Sequence, residues 1–479
     1  MKSNSLHGPE ESANAITVGF SPDCTIVLDP DDSDHTSEIQ AALNLANAET
    51  NYQSLVLATA GRFRINSASL VVHHFTQLEG MNWPMNPGLT PPVGTNPPDL
   101  YRRATVFDVT YEGNSAVQMN GGSCLKNIYF NYSAQHDKDS DHWTAYPPAV
   151  EGVSDSDADT YAFGIHLENL FGRNPYRFIE ISQGHGNNYL NNIDGAPISR
   201  GIVLSNGGDA NHISNVHFVP TAYGWDIADT ALRHYIRDNA IGIEVVHPGV
   251  DNYHGADGTM ITSSTVFDYN IGYKFIDVSG HFALANSIAD TCHAYGVIIG
   301  GKSYGAKIVN CGVSVGDFTD LTDASGIAIS LQDQASAIQI CDCNILSAGY
   351  GIDVSVDGAD IYGVEADGPI ISNNLIKFNN ANSASSVWGI RIMAGDYSKV
   401  YGNKVRGSSF TKSNGIAIAS LIEACTVIGN TVVSCDENSI YFAGHDGQLY
   451  GNMIKDSLAI NATAATGTIQ RDGADLVVA

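Results

Sequence analysis

One pattern constrains this chain more than any other: a glycine followed by alternating apolar residues, returning again and again. It begins at Gly164-Ile165-His166-Leu167 and Gly201-Ile202-Val203-Leu204 and continues from Gly242, Gly272, Gly296, Gly326, Gly351, Gly389 and Gly415. Ser439-Ile440-Tyr441-Phe442 closes the series, and successive members lie 24 to 41 residues apart. Alternation with period two marks strands. An interval that stretches but never collapses is one turn of a solenoid with variable loops. A second motif interleaves with the first, an Asn or Cys ahead of a short apolar strand: Asn127, Asn215, Asn286, Cys311, Cys343, Asn373, Asn403, Asn430 and Asn452. Two strands per turn in constant order predict an all-β, single-stranded right-handed parallel β-helix of about ten or more coils. Neighbouring coils would lie about 4.8 Å apart. The glycine would permit the bend into each strand, and the Asn side chains would stack and satisfy backbone groups inside the turns.

Composition agrees. Apolar residues are 43% of the 479, enough for a core, while charged residues are 15% and Gly numbers 48, a poor recipe for long helices. The net charge of −28 repels phosphate backbones and anionic lipids, which argues against nucleic acid and membrane partners. A polyanionic substrate would need a local basic patch. The eight cysteines include no C-x-x-C pair and read as stacked interior thiols. No apolar run follows Met1-Lys2-Ser3-Asn4 as a signal peptide requires, so action outside the cell calls for another exit, such as release in a virus particle.

An open solenoid end exposes strand edges and core, and needs a cap. Ser37 to Ala46 reads as an amphipathic helix N-capped around Asp34 to Ser37. The expected organisation is an N-terminal arm (1–33), a capped β-helix with inserted loops (34–456) and a tail (457–479). The Ile39-Gln40-Ala41-Ala42-Leu43-Asn44 helix, the Gly61-Arg62-Phe63-Arg64-Ile65 turn and strand, the Leu78-Glu79-Gly80 turn and the Gly-Ile/Asn coils together resemble the pectate-lyase-like β-helix superfamily. Within it, the likeness is to viral tailspikes and related polysaccharide depolymerases, over residues 34–456. The resemblance implies a polysaccharide ligand, a homotrimer, and an extracellular or virion-associated protein.

Outward side chains of consecutive coils form rows, so a site is sought by comparing one position across turns. The residue two after each repeat glycine gives His166, Val203, Glu244, Lys274, Ile298, Ala328, Asp353, Arg391, Ala417 and Tyr441. Glu244 beside Lys274, and Asp353 beside Arg391, read either as cross-strand ion pairs or as a sugar-binding face. Asp268 and Asp290 end equivalent strands on adjacent coils and are expected in register, about 5 Å apart. Two such carboxylates suit glycoside hydrolysis: a spacing near 5 Å fits retention, and a wider one, to Glu244 or Asp277, fits inversion. The plainer reading is two turn-capping aspartates. Tyr223, Trp225 and Asp226, then His247, Tyr253 and His254, lie in the two loops flanking Gly242; with Lys274 and His166 they are the expected sugar contacts. Glu180 and His185 are secondary candidates.

No cofactor is expected. Calcium is considered for the Asp-rich stretch His136 to Thr160, whose plainer reading is a solvated or subunit-contacting loop; His247, Asp251 and His254 are a weaker candidate metal set. The leading function is endo-hydrolysis of an extracellular polysaccharide by paired carboxylates. The alternatives are β-elimination on a uronate polymer, with Lys274 or Arg391 as base, and a glycan-binding virion or surface protein without catalysis.

Overall fold

A computed structural model describes residues 33–47, 54–81, 104–135, 143–153, 164–182, 186–205, 210–223, 231–247, 257–316, 326–347, 349–356, 368–378, 386–407, 412–419 and 422–455. For 4–5, 17–18, 25–28, 460–462, 465–471 and 474–478 it describes the backbone alone, as it does at 54, 222–223 and 356. The chain forms two compact units, Met1–Ile236 with Gly242–Glu244, and Arg237–Ile241 with Val245–Ala479. Each is a stack of parallel strands wound as a β-helix, the right-handed sense being the one parallel crossovers take.

In the first unit the helix Thr36–Asn47 stands at the start of the coils. Asp34 is its N-cap: its Oδ1 accepts from the Thr36 N–H at 3.1 Å and the Thr36 hydroxyl at 2.6 Å. Burial pushes the Asp34 carboxyl up, but the hydrogen bonds from Thr36 and Ser67 outweigh it and the net direction is down. Behind the cap, Phe63, Phe107, Phe130, Phe178 and Phe218 stack one coil after another, edge to face, with centroids 5.8 to 6.4 Å apart. His35 closes the column at 5.1 Å from Phe63. Each such contact adds about 0.5–1.5 kcal/mol to area burial.

The second unit carries three strands per coil rather than the two expected. One column runs through Lys307–Val309, Gln339–Cys341, Ile370–Ser372, Lys399–Tyr401 and Thr426–Ile428. The next runs through Gly312–Val315, Asn344–Ser347, Leu375–Phe378, Lys404–Arg406 and Thr431–Val433. The third runs from Ile271–Ile276 through Tyr295–Gly300, Ile327–Asp333, Tyr350–Val356, Val387–Ile392 and Ser413–Ile418 to Ile440–Phe442. Inward side chains stack like on like, as Ile308, Ile340, Ile371, Val400 and Val427 do, all fully buried. Strand pairing continues past the boundaries drawn from sequence: Thr25–Leu28 pairs with Ser54–Ala58, and Ala465–Arg471 with Gly447–Lys455.

Gly164 serves a bend, with φ 76° and open space around it, but the repeat glycines of the second unit are explained by space. Those of the third column lack a left-handed backbone. A Cβ on Gly296 would collide with a Val313 methyl and meet the Ala328 carbonyl at 2.7 Å; on Gly389 it would collide with Val405. Ala328, not Gly326, occupies this position in its own coil, because Ile329 pairs with Val297 and with Ile352.

The asparagines form ladders of two kinds. Asn127, Asn169 and Asn192 turn the chain at φ 54 to 58°, and each amide reaches its neighbour at 2.7–2.8 Å. In the second unit a buried ladder runs Asn374–Asn403–Asn430–Asn452, amide to amide at 2.9–3.0 Å. Its amides also donate to the carbonyls of Ile340, Ile371, Val400 and Val427 at 2.8–3.0 Å. Asn373 is the left-handed turn residue beside this ladder, not its member. Cys343 continues it by donating its N–H to Asn374 at 2.9 Å. All seven described cysteines are free, and five of them are buried.

Candidate active site

In the first unit, one outward row carries three glutamates. Gln118 pairs with Glu151, Glu151 with Glu180, and Glu180 with Val203. Gly201 faces the carbonyl of Gly242, which puts Glu244 opposite Val203 on the next coil. Backbone spacing therefore separates Glu151 from Glu180 by about 5 Å and Glu180 from Glu244 by about 10 Å. All three are half-buried side chains on the solvent side of their strands, next in sequence to the buried residues Val150, Ile179 and Ile243.

A column of arginines runs beside the glutamates, Arg177 in register with Arg200. Arg177 reaches Glu180 at 2.5 Å and Arg200 reaches Glu244 at 3.2 Å. Glu151 instead accepts from the Ser115 hydroxyl at 2.8 Å. The helix Ala231–Asn239 brings Tyr235 over this edge, its hydroxyl 2.9 Å from that of Tyr176. Burial, reinforced by Tyr176, pushes the Tyr235 phenol up to about 12, so it acts as a proton-bearing hydrogen-bond group at neutral pH.

The expected site residues are dispersed. Glu244 lies in the row, engaged by Arg200. Asp268 and Asp290 are on adjacent coils but out of register: Asp290 pairs with Phe267. The register is set upstream, where Met260 pairs with Ala283 and Thr265 with Ile288; Asp268 then follows the strand with a left-handed backbone (φ 63°) and its side chain in the interior. There Asp268 is fully buried against Arg237 at 2.7 Å. Asp290 stays half-exposed, its Oδ1 accepting from the Thr291 hydroxyl at 3.1 Å. Asp277, also left-handed, caps a turn by accepting the Lys302 N–H at 2.6 Å. His247 is lowered by burial against a smaller opposing pull from Asp277.

Lys274 lies in register with Ile298, and Asp353 forms a two-pronged pair with Arg391 at 2.6 and 2.9 Å. Ser330 takes the place given to Ala328 in that row. His166 belongs to another sheet altogether, in register with Cys124 and Tyr189, so the row continues back from Val203 to Glu180 instead. Trp225, Asp226, Asp251, Tyr253, His254, His185 and the stretch 136–142 lie outside the described residues, as does the Tyr223 side chain. Among the described residues no three His, Cys, Asp or Glu side chains gather as a metal site, and no helix is long and apolar enough to cross a membrane.

Sequence reasoning missed Glu151 because it followed glycine: Ala149 and Phe178 stand at the glycine position of these coils. The signal present was a glutamate between apolar neighbours, Val150-Glu151-Gly152 and Ile179-Glu180-Ile181.

A second polar cluster lies on the other sheet of the first unit. Lys126 pairs in register with Glu79 and Glu168 and reaches Glu168 at 2.9 Å. His166 stands beside them, 3.5 Å from Glu168 and edge-on to Tyr189 at 4.7 Å. Burial pushes the His166 imidazole down, Lys126 adds to this and Glu168 opposes it.

This architecture is the right-handed parallel β-helix, a fold it shares with a phage tailspike. A double mutant of the tailspike protein of E. coli bacteriophage HK620 is 10% identical, covers 93% of this chain and 76% of its own, and superposes with a TM-score of 0.53. Another mutant of that tailspike, in complex with a pentasaccharide, is 10% identical over 88% of this chain and 78% of its own, with a TM-score of 0.51. The A-module of an Azotobacter vinelandii mannuronan C-5 epimerase is 14% identical over 91% of this chain and 96% of its own, with a TM-score of 0.43. No family model matches the chain. No curated protein matches it in sequence.

Proposed function

We propose that this protein is a polysaccharide depolymerase that hydrolyses internal glycosidic bonds with carboxylates of the Glu151–Glu180–Glu244 row. The observation that carries the reading is this row itself: three glutamates on one outward face, at one-coil and two-coil spacings, flanked by Arg177 and Arg200. Hydrolysis needs one carboxyl group to protonate the leaving oxygen and another to act as nucleophile or to activate water. Glu180 is the shared member. With Glu151 the pair has the narrow spacing of a retaining enzyme, and with Glu244 the wide spacing that admits a water molecule. The tailspike solved with a pentasaccharide supports a glycan as the ligand class. A homotrimer working outside the cell or on a virion goes with this reading, and sedimentation of the full chain measures the oligomer.

Glu180→Gln is expected to abolish release of reducing ends from the cleaved polymer, and unchanged release would sink the assignment. Comparing Glu151→Gln with Glu244→Gln identifies the partner, and NMR of the first-formed anomer must agree with it.

The Lys126–Glu168–His166–Tyr189 cluster favours a second reading, proton abstraction from a uronate ring. His166, lowered by burial, is a neutral base at pH 7, and Lys126 is a cation for the carboxylate. An ultraviolet-absorbing unsaturated product from a uronate polymer, lost in His166→Gln but kept in Glu180→Gln, would select it.

A further inference from the structure

In the second unit the two adjacent columns from Lys307–Val309 to Gly447–Lys455 break the charge rule of the rest of the chain. The protein carries 51 acidic and 23 basic residues, yet these strands contain no Asp or Glu at all. They do contain Lys307, Lys377, Lys399, Lys404, Arg406 and Lys455, all exposed. Lys377 and Arg406 are direct partners in register, which puts like charges about 5 Å apart. Like charges directly opposite on a sheet destabilise it. Among the described residues, Lys307, Lys377, Lys399, Lys404 and Arg406 have no carboxylate partner. The acids next to these strands lie in the turns that join them: Asp342, Asp396, Glu423 and Asp446. Beside the cations, Tyr401, Ile428 and Tyr450 form one exposed outward row on successive coils.

We infer that this face binds an anionic polysaccharide, its carboxylates over the lysines and its sugar rings on Tyr401 and Tyr450. The inference rests on the reading of a glycan ligand but not on Glu180. Tyrosines give sugar rings a flat apolar surface with a polar edge, and separated cations suit a polymer whose charges are spaced one per sugar. A second copy of this chain fits less well, because the cores of protein interfaces are depleted in lysine, which supplies five of the six cations. Duplex DNA, at one charge per about 1.7 Å, would meet six cations on a protein of net charge −28.

The test is affinity electrophoresis of the full chain carrying Glu180→Gln, so that the polymer is not cut, through gels containing polygalacturonate, dextran or DNA. Expected are retardation by polygalacturonate that fades with salt, none by dextran, and a weakening of about 10-fold or more when Lys377, Lys404 and Arg406 are changed to Gln. Tyr401→Ala, which leaves every charge in place, should weaken binding several-fold. Equal retardation by dextran, stronger retardation by DNA, or a triple variant that binds like its parent overturns the inference. So does a triple variant that changes only the sedimenting mass. Patch-dependent binding by a protein that cuts no polymer would remove the cleavage reading and leave this one standing.

Discussion

The same outward position of the repeat was put to opposite uses in the two units. In the first it reads Gln118, Glu151, Glu180, Val203, with Glu244 on the next coil, and its cations come from a separate column, Arg177 and Arg200. In the second it reads Lys274, Ile298, Ser330, Asp353, Arg391, Ala417, Tyr441, with acid and base as in-line neighbours. The Asp353 side chain is 5% exposed, gripped through both oxygens by Arg391, which also lies 4.0 Å over the Tyr350 ring. A carboxylate held this way supports the wall of a coil. Glu180, held by Arg177 through one oxygen from the side, keeps the other for a ligand, as the proposed site requires.

The comparison breaks first on activity. Glu180→Gln should lower kcat about 10²–10⁴-fold, the usual worth of a positioned acid or base. Asp353→Asn should leave it within a factor of two or so. Assays of reducing ends on one polymer decide, and equal losses would mean that the geometry of these carboxylates carries no information about function.

Stability should reverse the ranking. Arg237 and Asp268 form a pair 9% and 0% exposed. Arg237→Met leaves a buried charge without its partner and should cost about 3–5 kcal/mol, most of it recovered in Arg237→Met/Asp268→Leu. Arg200→Met, at the less buried pair with Glu244 (side chains 31% and 12% exposed), should cost about 1 kcal/mol or less. Urea midpoints of the variants test this, and a double variant no better than the single would place the loss in packing instead.

These residues also show how far the sequence could be read. The repeat, the cap and the asparagine ladder were legible because each is a periodic demand of stacking, repeated until it stands out. Register was less legible. Whether Asp290 meets Asp268 or Phe267 turns on a register of one residue, set upstream where Met260 pairs with Ala283, and no period announces it. The Glu151–Glu180 pairing was hidden because a search anchored on glycine passes over coils where Ala149 and Phe178 fill that place. The third strand column was missed because its joints are single turn residues such as Asn286 and Asn310.

The two kinds of ladder offer a smaller test of the same logic. Asn430 is buried, and its side chain serves Asn403, Asn452 and the Val400 carbonyl, so Asn430→Ala strands several polar groups and should cost about 1–3 kcal/mol. Asn192 sits in the partly exposed ladder, where water replaces the lost amide, and its substitution by Gly, which tolerates the left-handed turn, should cost less.

The smallest effect is one of sign. His217 lies 3.3 Å from the buried Asp194, whose carboxylate raises its imidazole above the ordinary 6.5 despite burial. His166, on a neighbouring strand set, is lowered below 6.5 by burial and Lys126. Linkage gives the two opposite slopes. The contribution of His217 is complete below about pH 6.5 and disappears as pH rises through its raised folded value. That of His166 is present above about pH 6.5 and is lost as pH falls through its lowered folded value. Thermal midpoints of wild type against His217→Gln should therefore differ more at pH 5.5 than at pH 8, and those against His166→Gln should change with pH in the opposite sense. Both rings are partly solvated, so the shifts will be small. Parallel slopes would show that the neighbours of at least one imidazole do not control its proton.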